Sequence, residues 1–298
     1  MDGEGTQLLF GRDFTEAELA LVREVVALFP RLSSKELAAT LCEHLGWATS
    51  AGRLKVESCL KLLLKLEAKG EIKLLPKARK AKRKESAPLL SKRTDPPSQE
   101  LAGELWEFEP VWVLVQDKEG MWLWNEYIQR YHPLGYQRPF GAHQRYFIVC
   151  GGGELLGCIS FAASAWAVEA RDRWIGWSQS DRSRRLHLVA NNNRFLIFPW
   201  VKVKNLASRV LALVVRRIRE DWQARYGYGP VLLETFVDLE YACTCYRAAN
   251  WIKLGQTAGR GRMDRDTQYL STPKRIYVYP LVREFRAVLC GKEKGGSG

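Results

Sequence analysis

The hydrophobic and polar positions divide the chain into three textures. From Thr15 onward apolar residues recur three and four apart, the period of helices that bury one face. Leu19, Val22, Val25, Val26 and Phe29 form the first stripe, opened by the capping pair Thr15 and Glu18 and broken at Pro30. The second, opened by Ser33 and Glu36, carries Leu37, Ala38, Leu41 and Cys42 and ends at Gly46-Trp47. The third spans about 53–69 through Leu54, Val56, Cys59, Leu60, Leu63, Leu64 and Leu66, and Gly70 stops it. Residues 71–75 read as a short strand before Pro76. This predicts a winged-helix-like module over residues 1–76, with the third helix as groove reader and Arg53, Lys55, Lys61 and Lys65 facing outward. A helical cap that docks protein is the alternative.

The periodicity then stops. Residues 77–105 are rich in proline, serine and charge and read as a linker. Between Lys77 and Arg93 lie eight basic residues and one acid, including Lys77, Arg79, Lys80, Lys82, Arg83 and Lys84. Such a run can follow a line of phosphates or serve only as a solvated tether.

From about Trp106 strand-like and helix-like stretches alternate. Strands are expected at 111–115, 146–149, 155–162, 231–237 and 276–279, with extended pieces at 185–190 and 195–198. Gly151-Gly152-Gly153 joins two of the strands as a hairpin. Helices are expected at 120–131, 205–226 and, briefly, 244–251. The fold class is α+β, with a mixed sheet and flanking helices over 106–290 and a disordered tail at 291–298. The order resembles the N-acetyltransferase-like (GNAT) fold, in which a long helix follows the fourth strand and a short one the fifth.

Composition narrows the partners. The chain has 298 residues, 46% of them hydrophobic, enough for one large domain or two unequal ones. No run of about 18 apolar residues suggests a membrane span, and no apolar leader opens the chain, so neither a span nor a secretory signal is expected. The seven cysteines form no CxxC pair and read as reduced, packed thiols. A net charge of +13 points to a polyanion, nucleic acid first and an anionic membrane surface second. A basic protein without such a partner is the plain alternative.

Four clusters could carry chemistry. His132 lies on a turn bounded by Pro133 and Gly135, as an acid, base or ligand, or as a histidine bonding the last helical carbonyls. Arg171, Arg173 and Trp177 suit phosphate contact and base stacking, or an Arg–Asp pair with packed tryptophan; Arg194 and the basic loop with Arg260 and Arg262 suit phosphates. Lys202, Lys204, Asn205 and Ser208 precede the long helix, where acetyltransferases hold a coenzyme A pyrophosphate on a glycine-rich turn. No glycine occurs between Gly176 and Gly227, so backbone approach to a pyrophosphate is not supported and the donor stays unknown. A lysine-lined anion site remains. Finally, Glu234 interrupts the apolar strand and Asp238 ends it, with Tyr246 and Asn250 on the helix beyond. A buried Glu234 is either a general base or an arginine-paired structural acid. Cys243 and Cys245 with His187 give a weaker zinc reading.

The stretches RDRWIGW, NNNRFLIFP, VKNLASRVL, ETFVD, CYRAANWIKLGQTAGRGR and IYVYPL together resemble the DruA family of the Druantia anti-phage system. The resemblance implies a bacterial cytoplasmic protein acting on DNA, alongside other defence-system or mobile-element proteins. The segment from Asp238 to Thr257 is also similar to the end of the phage Mom enzymes, GNAT-like proteins that modify adenine in DNA. That resemblance implies active-site roles for His132 and Asp238; the tyrosine that follows the histidine there is Pro133 here. Three readings follow. The first is a base-modifying enzyme in which His132, Glu234 and Asp238 handle protons and Tyr246 and Asn250 position substrate. The second is a non-catalytic nucleic-acid-binding subunit. The third, ranked below these, is a metal-dependent nuclease using Asp172, Glu234 and Asp238.

The linker makes a direct prediction. DNA affinity titrated against salt should fall steeply, and deleting residues 77–93 should flatten the log–log slope by several units, at roughly 0.9 for each phosphate that the shortened chain leaves unneutralised.

Overall fold

The computed structural model describes residues 7–9, 12–30, 32–49, 54–74, 90–116, 120–139, 141–257 and 272–292. Two short strands, β1 (Gln7–Leu9) and β2 (Arg12–Phe14), pair antiparallel ahead of three helices. Helix α1 (Glu16–Leu28) starts at Thr15 and α2 (Ser34–His44) at Ser33, each through the capping box its sequence announces. Helix α3 (Val56–Ala68) has no side-chain cap and buries Cys59, Leu62, Leu63 and Leu66. Lys61 and Lys65 lie on its exposed side, with Leu64, while Lys55 at its N-cap is half-buried. The strand expected over 71–75 does not form in its described part, 71–74. The three helices are present, but the described residues give them no wing after α3.

The described part of the expected linker, residues 90–105, packs on the sheet domain. Ser91 and Thr94 close around Glu126, and β3 (Leu101–Gly103) lies against the sheet domain. Thr94 is fully buried because its hydroxyl donates to that carboxylate at 2.8 Å. Burial opposes the charge of Glu126, but the Ser91 amide and the two hydroxyls outweigh it and hold the carboxyl low.

The main sheet uses β4 (Trp112–Val115), β5 (His143–Val149), β6 (Leu155–Ala163), β7 (Val189–Ile197), β9 (Leu232–Asp238), β10 (Ile252–Gln256) and β11 (Lys274–Pro280). Their order is β10-β11-β9-β7-β6-β5-β4. Helix α4 (Met121–Tyr131) precedes β5; α5 (Glu169–Ile175) and α6 (Gln179–Arg185) separate β6 from β7. Between β7 and β9 come β8 (Val201–Val203), paired in parallel with β3, and the 21-residue α7 (Leu206–Tyr226). Helix α8 (Thr244–Ala248) follows β9, and α9 (Phe285–Leu289) follows β11. A long helix thus follows the fourth strand of the main sheet and a short one the fifth, as the GNAT resemblance implies.

Several differences have physical causes. The two extended pieces around residues 185–198 are one nine-residue strand preceded by helix, because Asn191 and Asn192 sit in the ladder and Asn193 is bulged from it, in a stretch that composition reads as loop. Helices α5, α6 and α9 have seven, seven and five residues, too few to display a period.

The two faces of the sheet differ. Tyr146 on β5 donates to Asp221 on α7, so Tyr146 and its alternates face α7, whereas Arg145 and Phe147 lie against Trp124 and Tyr127 of α4. The N-terminal helices share one continuous apolar cluster with the sheet. Phe29 packs on His187 and Tyr228, and His44 on Trp166. Burial lowers the pKa of His44 to about 4 and, helped by the charge of His44, that of His187 to about 3.

Both histidines are held neutral, so the unfolded chain takes up protons that the fold excludes. Stability is complete above about pH 6.5 and falls as pH drops toward these folded values, by at most about 1.4 kcal/mol per pH unit for each of the two histidines. Thermal melts at pH 7 and 4.5 should show a large loss for the wild type and a smaller one for His44→Leu.

Candidate functional site

The site begins where the parallel pair of the main sheet ends. Strands β7 and β9 are in register from Val189↔Leu232 to Asn192↔Thr235. Beyond that, β7 pairs only with β6 and β9 only with β11. Tyr246 of α8 fills the fork: its hydroxyl donates to Asn192 Oδ1 at 2.6 Å, and its ring stacks on Tyr277. Thr235 Oγ1 donates to the Asn192 carbonyl at 3.1 Å. Burial pushes the Tyr246 hydroxyl pKa well up, so this group is a fixed donor.

The register breaks between Ser160 and Phe161, where β7 carries one extra residue, Asn193. The bulge puts Asn191 and Arg194 on the same face. One row across the sheet then reads Arg145, Ser160, Arg194, and the next includes Ala162, Asn191 and Glu234. This is the α4 side of the sheet. Ser160 donates to Asn193 Oδ1 at 2.8 Å, and Arg194 donates to the carbonyls of Gly135 and Asn193 at 3.1 and 2.7 Å. The His132 turn therefore closes over this row. Burial, then the charge of Arg194, lowers the His132 pKa to about 4. Its Nδ1 accepts the Leu134 amide at 3.2 Å, which places the proton of the neutral ring on Nε2.

Glu234 is fully buried and is the arginine-paired acid. Arg171, also fully buried, donates to Glu234 Oε2 at 2.9 Å, to Ser164 Oγ at 2.6 Å and to the Ala165 carbonyl at 2.9 Å. Ser164 Oγ and the Ala165 amide donate to Glu234 Oε1. Asp172 holds the other side of the guanidinium and accepts from Trp177 Nε1 and Arg182. The expectations that Arg171 and Trp177 meet nucleic acid are corrected: both are buried, and their donors are used internally. Arg173 is exposed and pairs with Glu169; both line an open depression of about 500 Å³ with Asp172 and Arg182.

The other expected residues lie apart. Asp238, at the end of β9, accepts from Thr272 Oγ1 at 2.9 Å and from the Glu240 amide; these bonds lower its pKa. No described hydrogen bond or ion pair links it to His132 or Glu234. Asn250 is exposed and left-handed, at φ 61°, where it ends the α8 turn. Lys202 and Lys204 are exposed beside β3, Asn205 is left-handed at φ 64°, and Ser208 donates to its carbonyl. Cys243 donates to the Tyr241 carbonyl, in surroundings separate from the Phe29 and Tyr228 rings around His187. Among the described residues no three His, Cys, Asp or Glu side chains converge as a metal site would require. Arg53, Lys77, Arg79, Lys80, Lys82, Arg83, Lys84, Arg260 and Arg262 lie outside the described residues. Arg145, Ser160 and Ser164 are not singled out by sequence reasoning; the signal available is a charge at an inward position of an apolar strand.

Removing one partner of a buried ion pair leaves the other unpaired. Glu234→Ala should cost about 3–5 kcal/mol in urea denaturation, and the double change Arg171→Met with Glu234→Leu should recover most of it.

No curated protein matches the sequence. Among solved structures the chain is similar to a spermidine N-acetyltransferase chimera of the Vibrio cholerae enzyme and hSSAT, at 9% identity and TM-score 0.38, over 57% of this chain and 95% of that one. The Vibrio cholerae enzyme with CoA and spermine gives 11%, 0.35, 56% and 94%. An acetyltransferase named from Sphaerobacter thermophilus gives 12%, 0.30, 61% and 98%. The family model described as Druantia protein DruA matches residues 63–272, which take in the C-terminal half of α3 and the main sheet through β10. That match covers well over half of the sequence, and the chain belongs to the DruA family of the Druantia system.

Proposed function

We propose that this DruA-family protein acts on DNA and that its GNAT-like sheet modifies a base held against the α4 face. The observation that carries the reading is the polar row of Arg145, Ser160 and Arg194, with Asn191 in the row beside it, on the α4 face next to the fork of β7 and β9. Charged groups kept inside a sheet are costly, and such costs concentrate at sites that bind or react. In this reading His132 offers Nε2–H as a hydrogen-bond donor and does not serve as a strong base. Asp238 stays ionised at the strand end and receives a proton or an exocyclic amine. Tyr246 and Glu234 hold the frame, and Asn250 presents its amide from the turn above. Lys61 and Lys65 on α3, half-buried Lys55 at its start and the basic linker supply the charge that draws DNA. Lys202 and Lys204 would meet an anionic donor, whose identity is open.

The buried Arg171–Glu234 pair favours a second reading, a non-catalytic subunit that uses the sheet as a DNA platform, because it removes one of the three expected proton carriers. It also uses two of the three acids of the nuclease reading, Glu234 and Asp172, to neutralise one arginine.

Mass spectrometry of nucleosides from cells carrying the defence system, with and without this protein, distinguishes the two. The enzyme reading expects a new nucleoside mass that disappears with Asp238→Asn. Unchanged nucleosides, together with phage protection by Asp238→Asn equal to wild type, would overturn it in favour of the platform.

A further inference from the structure

Among the described residues Arg145 has no acid for its charge. It is 4% exposed, and its guanidinium lies 5.3 Å from the Trp124 ring and 6.0 Å from the Tyr136 ring. Its Nε is buried without a hydrogen-bond partner. The groups that act on its charge are Tyr136, Tyr226 and Arg225, none of them a carboxylate. Arg194 stands two strands away on the same face, its described donors aimed at two backbone carbonyls and at no acid. Between them lies Ser160. In the adjoining row Asn191 Oδ1 is also buried and unpartnered, and an amide in that position can turn its NH2 toward an anion. The contrast is with Arg171, in the same sheet domain, which has two carboxylates.

A buried guanidinium without a counter-ion is expensive, and aromatic faces offset only part of that cost. Burial accordingly lowers the pKa of both Arg145 and Arg194. Two forks about two strand spacings apart, roughly 10 Å at the backbone, can converge on one tetrahedral anion over the intervening serine.

We infer that Arg145 and Arg194, with Ser160 and Asn191 between and beside them, form a binding site for a phosphate group. The phosphate belongs either to a nucleic-acid strand or to a small phosphorylated molecule. This site stands apart from the lysines ahead of α7 and shares its residues with the catalytic reading, but anion binding there needs no base to be modified, so the melts below and the nucleoside analysis above can fail separately.

The test uses the full chain and thermal melts in chloride buffers of matched ionic strength. Inorganic phosphate, pyrophosphate and a short single-stranded oligonucleotide are added in turn. Wild type should gain roughly 2–5 °C with at least one of them. Arg145→Met should lose that gain while melting, without added anion, no lower than wild type, because it removes an uncompensated buried charge. Arg194→Gln, at a half-buried position, should weaken the response at least tenfold in the concentration required. A response to phosphate or pyrophosphate alone assigns the site to a small molecule, and a response to the oligonucleotide assigns it to a strand. No anion-dependent gain in wild type, or equal gains in wild type and Arg145→Met, would overturn the site. So would an Arg145→Met protein that folds, melts well below wild type and keeps the response, since Arg145 would then be structural.

Discussion

The architecture depends on one short parallel pairing. Strands β7 and β9 share four registered residue pairs, and parallel neighbours cannot be joined by a tight turn. The connection must cross the sheet, and α7 does so over 21 residues, burying Leu206, Val210, Leu211, Val214, Ile218, Trp222 and Tyr226 along one stripe. Because the pairing stops at Asn192 and Thr235, the strands part and leave a fork that Tyr246 fills. The bulge at Asn193 lies at the same level, so the loss of pairing and the turning of Arg194 onto the α4 face are one event.

Polar groups beside this fork have two different fates. Around Glu234 every charge is matched: Arg171, Asp172 and Arg182 form an alternating chain closed by Ser164 and Trp177. Such a network adds little net stability over an apolar core, but it fixes which strand neighbours which and how α5 sits. Around Arg145 the charges are unmatched and aromatic rings stand in for acids. The two neighbourhoods lie on the same face, one built for permanence and the other with donors to spare.

Much of the frame was legible in the sequence because periodicity and capping are local. Thr15 with Glu18 and Ser33 with Glu36 name two helix starts, and the stripe in α7 names the longest helix. Helices of five to seven residues were not legible, since they show less than two turns of pattern. The site was only half readable. Glu234 stood out as an acid in an apolar strand, but its partner Arg171 lies 63 positions away, and sequence spacing cannot reveal that pairing. Arg145 escaped notice because only strand register, set by Ser160 and the bulge, aligns it with Arg194.

The four histidines share a trait with a wider consequence. Burial leads in each case and lowers their pKa values to about 4 at His44 and His132 and about 3 at His143 and His187. None changes charge near neutrality, and the described cysteines with resolved shifts at positions 59, 150, 158 and 245 are pushed further from it. The formal charge of +13 is therefore nearly constant across the range in which the acidity of a cell varies. The field that this charge sets up around the protein changes with the salt around it far more than with protons over that range.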